Sequence, residues 1–97
     1  MEIKLNFEKF DIPAGIDSKM VQRVDARETF ANLIYRNVNG IRAHALALKI
    51  YRSRGAEEYD HTEVSLILSI ANKYCTPAFI DGLRIQIQEI TENEFGT

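Results

Sequence analysis

Two histidines, one cysteine and a short run of acids are the residues of this chain whose types could carry chemistry. His61 stands beside Asp60 and two positions before Glu63, and a histidine next to a carboxylate can act as a general base. The same acids have a structural use. Asp60-His61-Thr62-Glu63 matches a capping box, in which Asp60 accepts from the backbone N–H of Glu63 while Glu63 reaches back to that of Asp60. Capping accounts for both acids and leaves His61 without a catalytic partner. His44 has Arg42 nearby and no carboxylate within one helical turn, which suits a surface histidine. Cys75 precedes Thr76-Pro77 at a helix junction, and no base can be assigned to it, so packing is expected of it rather than nucleophilic attack. Glu57, Glu58, Asp60 and Glu63 lack the alternating ligand positions and the glycine of a calcium loop. One cysteine excludes an intrachain disulfide and a multi-cysteine zinc site. The histidines, 17 positions apart, fit no common metal-ligand spacing. GxxxxGK[ST], GxGxxG and HExxH are absent. No catalytic residue, cofactor or metal is expected, and the chain reads as non-enzymatic.

The remaining candidates are cationic. Arg36, Arg42, Lys49, Arg52 and Arg54 are candidate partner-contact residues, and Arg42, Lys49 and Arg52 can share one helix side. The net charge of −2 hides an asymmetry. Residues 19–54 carry a balance of +6 and residues 55–97 one of −6. Such a split permits attraction between copies or toward a charged partner, and equally lets each half solvate its own surface.

The elements that must hold these residues are legible as periodicities. In residues 2–8, Ile3, Leu5 and Phe7 alternate with Glu2, Lys4, Asn6 and Glu8, the pattern of a half-buried strand. Phe10 and Ile12 can extend it up to Pro13, and the segment around Gly15 and Asp17 is turn-like. Residues 19–24 supply a returning strand, which gives an antiparallel hairpin over about 2–24. Four helical segments follow, near 26–38, 41–54, 61–75 and 77–90. Asp25 and Glu28 open the first as another capping box. Phe30, Leu33, Ile34 and Val38 form its apolar face, and its end falls at Asn37–Gly40. Ile41, Ala45 and Leu48, with Ile50 and Tyr51, mark the second, where Ala43, Ala45 and Ala47 keep the sides small enough for close helix approach and Gly55 is the cap. In the third, Val64, Ile67, Leu68, Ala71 and Tyr74 make a stripe that Leu66 and Ile70 widen. Thr76 caps the fourth, with Pro77 in its first turn and Ile80, Leu83, Ile87 and Ile90 as its stripe. AEEYD reads as a polar connection, and residues 91–97 as a fraying tail. The expectation is one α+β domain over 1–97: an N-terminal β-hairpin followed by a compact four-helix unit.

The order of parts also resembles a known group. An IKLNF strand, a PAGID loop, DARETFANLIYRN, ALALKIYRSRG, EVSLILSIANKY and TPAFIDGLRIQI follow one another as in small proteins encoded in prophages and mobile elements. The resemblance covers most of the chain and lies in layout rather than in a diagnostic motif. It implies a non-enzymatic accessory of virion or tail assembly, and no catalytic residues.

No run approaches 18 apolar residues and no signal-peptide core opens the chain, so a cytoplasmic protein without membrane contact is expected. Open hairpin edges favour a homodimer or an unlike protein partner. A DNA-binding regulator is the alternative, since helices meeting at Asn39-Gly40 superficially match a helix-turn-helix. Its second helix, however, offers mostly Ala and Leu to base edges.

Overall fold

Strict alternation cannot carry both Phe7 and Phe10 into a core, because residues three apart lie on opposite faces of a strand. The chain resolves this by bending. Asn6 Oδ1 accepts from the backbone N–H of Lys9 at 2.8 Å, which ends the first strand, and both phenylalanines become fully buried. The computed structural model describes residues 3–17 and 19–95, with side chains through residue 87. The elements are β1 (Ile3–Asn6), β2 (Phe10–Pro13), β3 (Val21–Val24), α1 (Arg27–Asn37), α2 (Ile41–Arg52), β4 (Ala56–Tyr59), α3 (His61–Tyr74) and α4 (Pro77–Phe95). The class is α+β, with four helices and two small antiparallel sheets among the described residues.

The single N-terminal hairpin is corrected here. A hairpin does form, but from β2 and β3, with Phe10 opposite Val24 and Pro13 opposite Val21. β1 pairs instead with β4, Ile3 opposite Tyr59 and Asn6 opposite Ala56. The polar AEEYD segment is therefore a strand rather than a connection. Its Tyr59 is fully buried, while Glu57 and Glu58 line up against Leu5 and Lys4.

Helix starts follow side-chain chemistry. At α3 the capping box is complete: Glu63 N donates to Asp60 Oδ1 at 2.7 Å and Asp60 N to Glu63 Oε1 at 2.9 Å. Asp60→Ala is expected to cost about 0.5–2 kcal/mol in a urea unfolding curve. Thr76 Oγ1 accepts from Phe79 N at 3.4 Å at the start of α4. The Asp25–Glu28 box does not form. Ala26 is the cap of α1, its N–H held by Phe7 O at 2.8 Å, and Asp25 instead holds the backbone and side chain of Arg27. Gly55 is likewise not a helix cap. α2 closes on Ser53, whose hydroxyl donates to Ile50 O at 2.7 Å, and Gly55 turns the chain into β4 at φ +61°. The backbone of α4 runs on to Phe95, past the expected end near residue 90. Glu2 and the side chain of Ile90 lie outside the described residues.

One cluster of buried side chains joins the strands to all four helices, with Leu5, Phe30, Ile34, Ile50, Ile67 and Leu83 each almost wholly hidden. Phe7 is its hub, stacked against Phe10 and Phe30 and edge-on to Tyr59. α4 lies across β2 and β1. Gln86 Nε2 donates to Asn6 O at 3.1 Å and Gln86 Oε1 accepts from Asn6 N at 2.8 Å, so one side-chain amide substitutes for a neighbouring strand. No helix among the described residues is long and apolar enough to cross a membrane.

Candidate functional site

α2 carries apolar residues on two sides, and packing had to select one. Ala43, Leu46, Ala47 and Ile50 face the core, at the i, i+3, i+4, i+7 spacing of a helix face. The small Ala43 and Ala47 allow α1 to pack closely. Of the residues expected to mark this helix, Ile50 is fully buried, whereas Ile41, Ala45, Leu48 and Tyr51 are exposed. Ile41 retains 88% of its accessible surface, Tyr51 53% and Leu48 39%. Tyr35 of α1, 67% exposed, joins them, and a shallow apolar groove runs between the helices along Ala31, Asn32, Tyr35, Ala47, Leu48 and Tyr51. His44 lies on the same side, its ring 5.8 Å from that of Tyr35.

The cationic candidates divide into two groups. Lys49 is structural. Its ammonium donates to Glu58 O at 2.6 Å and to Glu63 Oε1 at 3.0 Å, and sits 4.5 Å from the centre of the Tyr59 ring. It thereby ties α2 to β4 and to the capping box of α3. Arg36, Arg42, Arg52 and Arg54 are exposed and form no ion pair among the described residues. Arg36 lies on α1, and Arg42 and Arg52 on α2, the helices that line the groove. Arg42 also borders a depression it shares with Asp60 and Glu63, which mixes the sign of charge there. The other two arginines of the basic segment are occupied: Arg23 by Asp11 at 2.8 Å, and Arg27 by Asp25 at 2.7 Å and Ser53 O at 2.9 Å. The hydrogen bonds from these arginines hold the Asp11 and Asp25 carboxyls below their ordinary range.

The titratable candidates are not brought together. His61 is exposed in the first turn of α3. Cys75 is half-buried at the far end of that helix, where burial pushes its thiol up and keeps it protonated at neutral pH. No group of three His, Cys, Asp or Glu side chains suited to a metal exists among the described residues.

One buried group stands out. The Tyr59 hydroxyl is fully enclosed and has no hydrogen-bond partner among the described residues. Burial pushes its phenol well above the ordinary value, and the nearby Ser53 hydroxyl draws it only partly back. Ser53 gives its own proton to Ile50 O, and no well-formed bond links it to Tyr59. An unmet buried hydroxyl costs about 1–3 kcal/mol. Tyr59→Phe is therefore expected to leave stability unchanged or raise it by about 1 kcal/mol, read from thermal unfolding. A loss above about 1 kcal/mol would show that the hydroxyl is satisfied.

Together these features make a surface suited to contact: an aromatic and aliphatic groove, exposed arginines on the helices that line it, and no assembled set of reacting groups among the described residues. Sequence reasoning missed the outward face of α2, although the cleaner spacing of Ala43, Leu46, Ala47 and Ile50 already pointed to the inward one. No protein-family model matches the chain, and no curated protein or solved structure matches it.

Proposed function

We propose that this chain is a non-enzymatic protein-interaction module, an assembly accessory of prophage or mobile-element type, which docks an unlike protein on the outward face of α2. The observation that carries this reading is the groove of Tyr35, Leu48 and Tyr51, with Ile41 exposed on the same helix and Arg36, Arg42 and Arg52 exposed on the two helices that line it. Tyrosine and arginine with apolar area form the composition from which binding hot spots are drawn, and an apolar patch of this kind on a small protein marks an interaction site. The exposed arginines select a partner surface with acidic edges.

The alternative, a DNA-binding regulator, draws on the four arginines that are free of ion pairs among the described residues. Two features weigh against it. Lys49 is spent inside the fold, and Asp60 and Glu63 sit beside Arg42, where a phosphate backbone would meet them.

The test pairs capture from nuclease-treated native host extract with a duplex DNA titration at two salt concentrations. Tyr35→Ala and Tyr51→Ala are each expected to weaken capture of a specific partner by about tenfold or more. Melting should hardly move, since exposed substitutions change stability by about 0.5 kcal/mol or less. Submicromolar DNA affinity at about 0.15 M salt, lost on charge reversal at Arg42 and Arg52, overturns the reading.

A further inference from the structure

The strands differ in how their outer edges are covered. Gln86 occupies the outer backbone groups of Asn6 on β1. α4 lies so close to β2 that a Cβ at Gly82 would meet Asp11 O at 2.5 Å. Lys49 caps Glu58 O on β4. Among the described residues no such cover lies on β3, whose Val21, Gln22 and Arg23 are all exposed. Met20 at its start keeps 73% of its accessible surface and Val21 57%. An uncovered edge is a template for another strand.

We propose that β3 pairs antiparallel with β3 of a second copy of this chain, joining two hairpins into a four-stranded sheet centred on Gln22. The assignment is independent of the α2 face. It rests on hydrogen-bond parity and charge.

Ala14 N donates to Met20 O at 2.8 Å, so positions 14 and 20 are a hydrogen-bonded pair. Alternation along an antiparallel ladder then makes Ile12–Gln22 hydrogen-bonded, and Asp11–Arg23 and Pro13–Val21 not. Pro13, which has no N–H, sits where none is needed. The N–H and C=O of Val21 and Arg23 thus point away from β2, toward the open edge. Two copies can exchange hydrogen bonds only if odd positions oppose odd positions.

Three such registers keep the strands overlapped. Centring on Val21 sets Lys19 against Arg23, and centring on Arg23 sets that arginine against its own copy. Centring on Gln22 places Val21 opposite Arg23 twice, Met20 opposite Val24 twice, and Lys19 opposite Asp25 at both ends. Asp25 already holds Arg27, but a carboxylate has acceptor sites for a second cation. Only this register brings unlike charges together, so the strand is complementary to itself.

Four measurements test it on the full chain. In sedimentation equilibrium at high micromolar concentration the chain should be a dimer. Val21→Pro removes an outward N–H that the hairpin does not use, and should weaken the dimer by about tenfold or more with an unchanged circular dichroism spectrum. Lys19→Asp alone and Asp25→Lys alone should each dissociate it, and mixing the two variants should restore a heterodimer, which simple unfolding cannot imitate. In a Cys75→Ser background, Gln22→Cys should form an intermolecular disulfide under mild oxidation, because Cα atoms facing each other at a non-hydrogen-bonded pair lie about 4.5 Å apart; Met20→Cys should not. A monomer at high micromolar concentration overturns the proposal, as does a dimer indifferent to Val21→Pro or a crosslink at Met20 in place of Gln22. So does an edge covered only by a strand from a foreign partner. A monomer that still captures its partner through Tyr35 and Tyr51 removes this inference and leaves the interaction reading standing.

Discussion

Phe7→Ala is expected to cost about 3–5 kcal/mol, the largest loss from any single truncation in this chain. Phe7 has no accessible surface. Its ring centre lies 5.8 Å from that of Phe10, 5.4 Å from Phe30 and 5.9 Å from Tyr59, so its removal strips stacking or edge contacts from three rings at once. The backbone beside it is also committed, since Phe7 O accepts from Ala26 N and fixes the start of α1. Neighbours held on both sides collapse poorly into a void, which puts the cost toward the upper end. Against a total stability of about 5–15 kcal/mol, the variant should be largely unfolded in moderate urea. A loss under about 1 kcal/mol would mean that the aromatic cluster is not packed as described.

The second large effect has a sign opposite to helix propensity. Gly82 lies within α4, where alanine normally stabilises by about 1 kcal/mol. Here a Cβ would stand 2.5 Å from Asp11 O and 3.0 Å from Phe10 Cε1. The first obstacle is backbone, held in a strand, and cannot rotate aside. Gly82→Ala is therefore expected to destabilise by about 1–3 kcal/mol. Equilibrium unfolding decides the matter: a gain in stability would place α4 farther from β2 than described.

Helices were the legible part of this fold, because their apolar spacing is local. Ile67 and Leu83 announce the buried faces of α3 and α4, and the Asp60–Glu63 box announces the start of α3. Where a competing partner intervenes, the same logic fails. Asp25 looks like a cap as good as Asp60, but Arg27 takes its carboxylate and Phe7 O anchors Ala26. β4 was hidden because Ala56-Glu57-Glu58-Tyr59 contains a single large apolar residue, and its strand identity comes from β1, some fifty positions away. The outward face of α2 was missed because both sides of that helix are apolar. The closeness of α1, which demands Ala43 and Ala47, decides between them. Of the candidate contact residues, Arg36, Arg42, Arg52 and Arg54 are exposed. Lys49 is committed to Glu58 O and Glu63, a tie that sequence spacing does not reveal.

The pairing of β1 with β4 also orders events during synthesis. Ile3–Asn6 leave the ribosome while their partners, Ala56–Tyr59, are still to be made. Both helices α1 and α2 lie between, so neither edge of the first strand can be satisfied when it emerges. Its last cover, the Gln86 amide on Asn6, comes 80 residues behind it in the chain. The slow step is thus a long loop closure rather than helix formation, since contacts distant in sequence are gained only after their closure entropy is met. Until Ala56–Tyr59 have been made β1 has no mate, and that interval leaves it open to chaperones and to wrong neighbours.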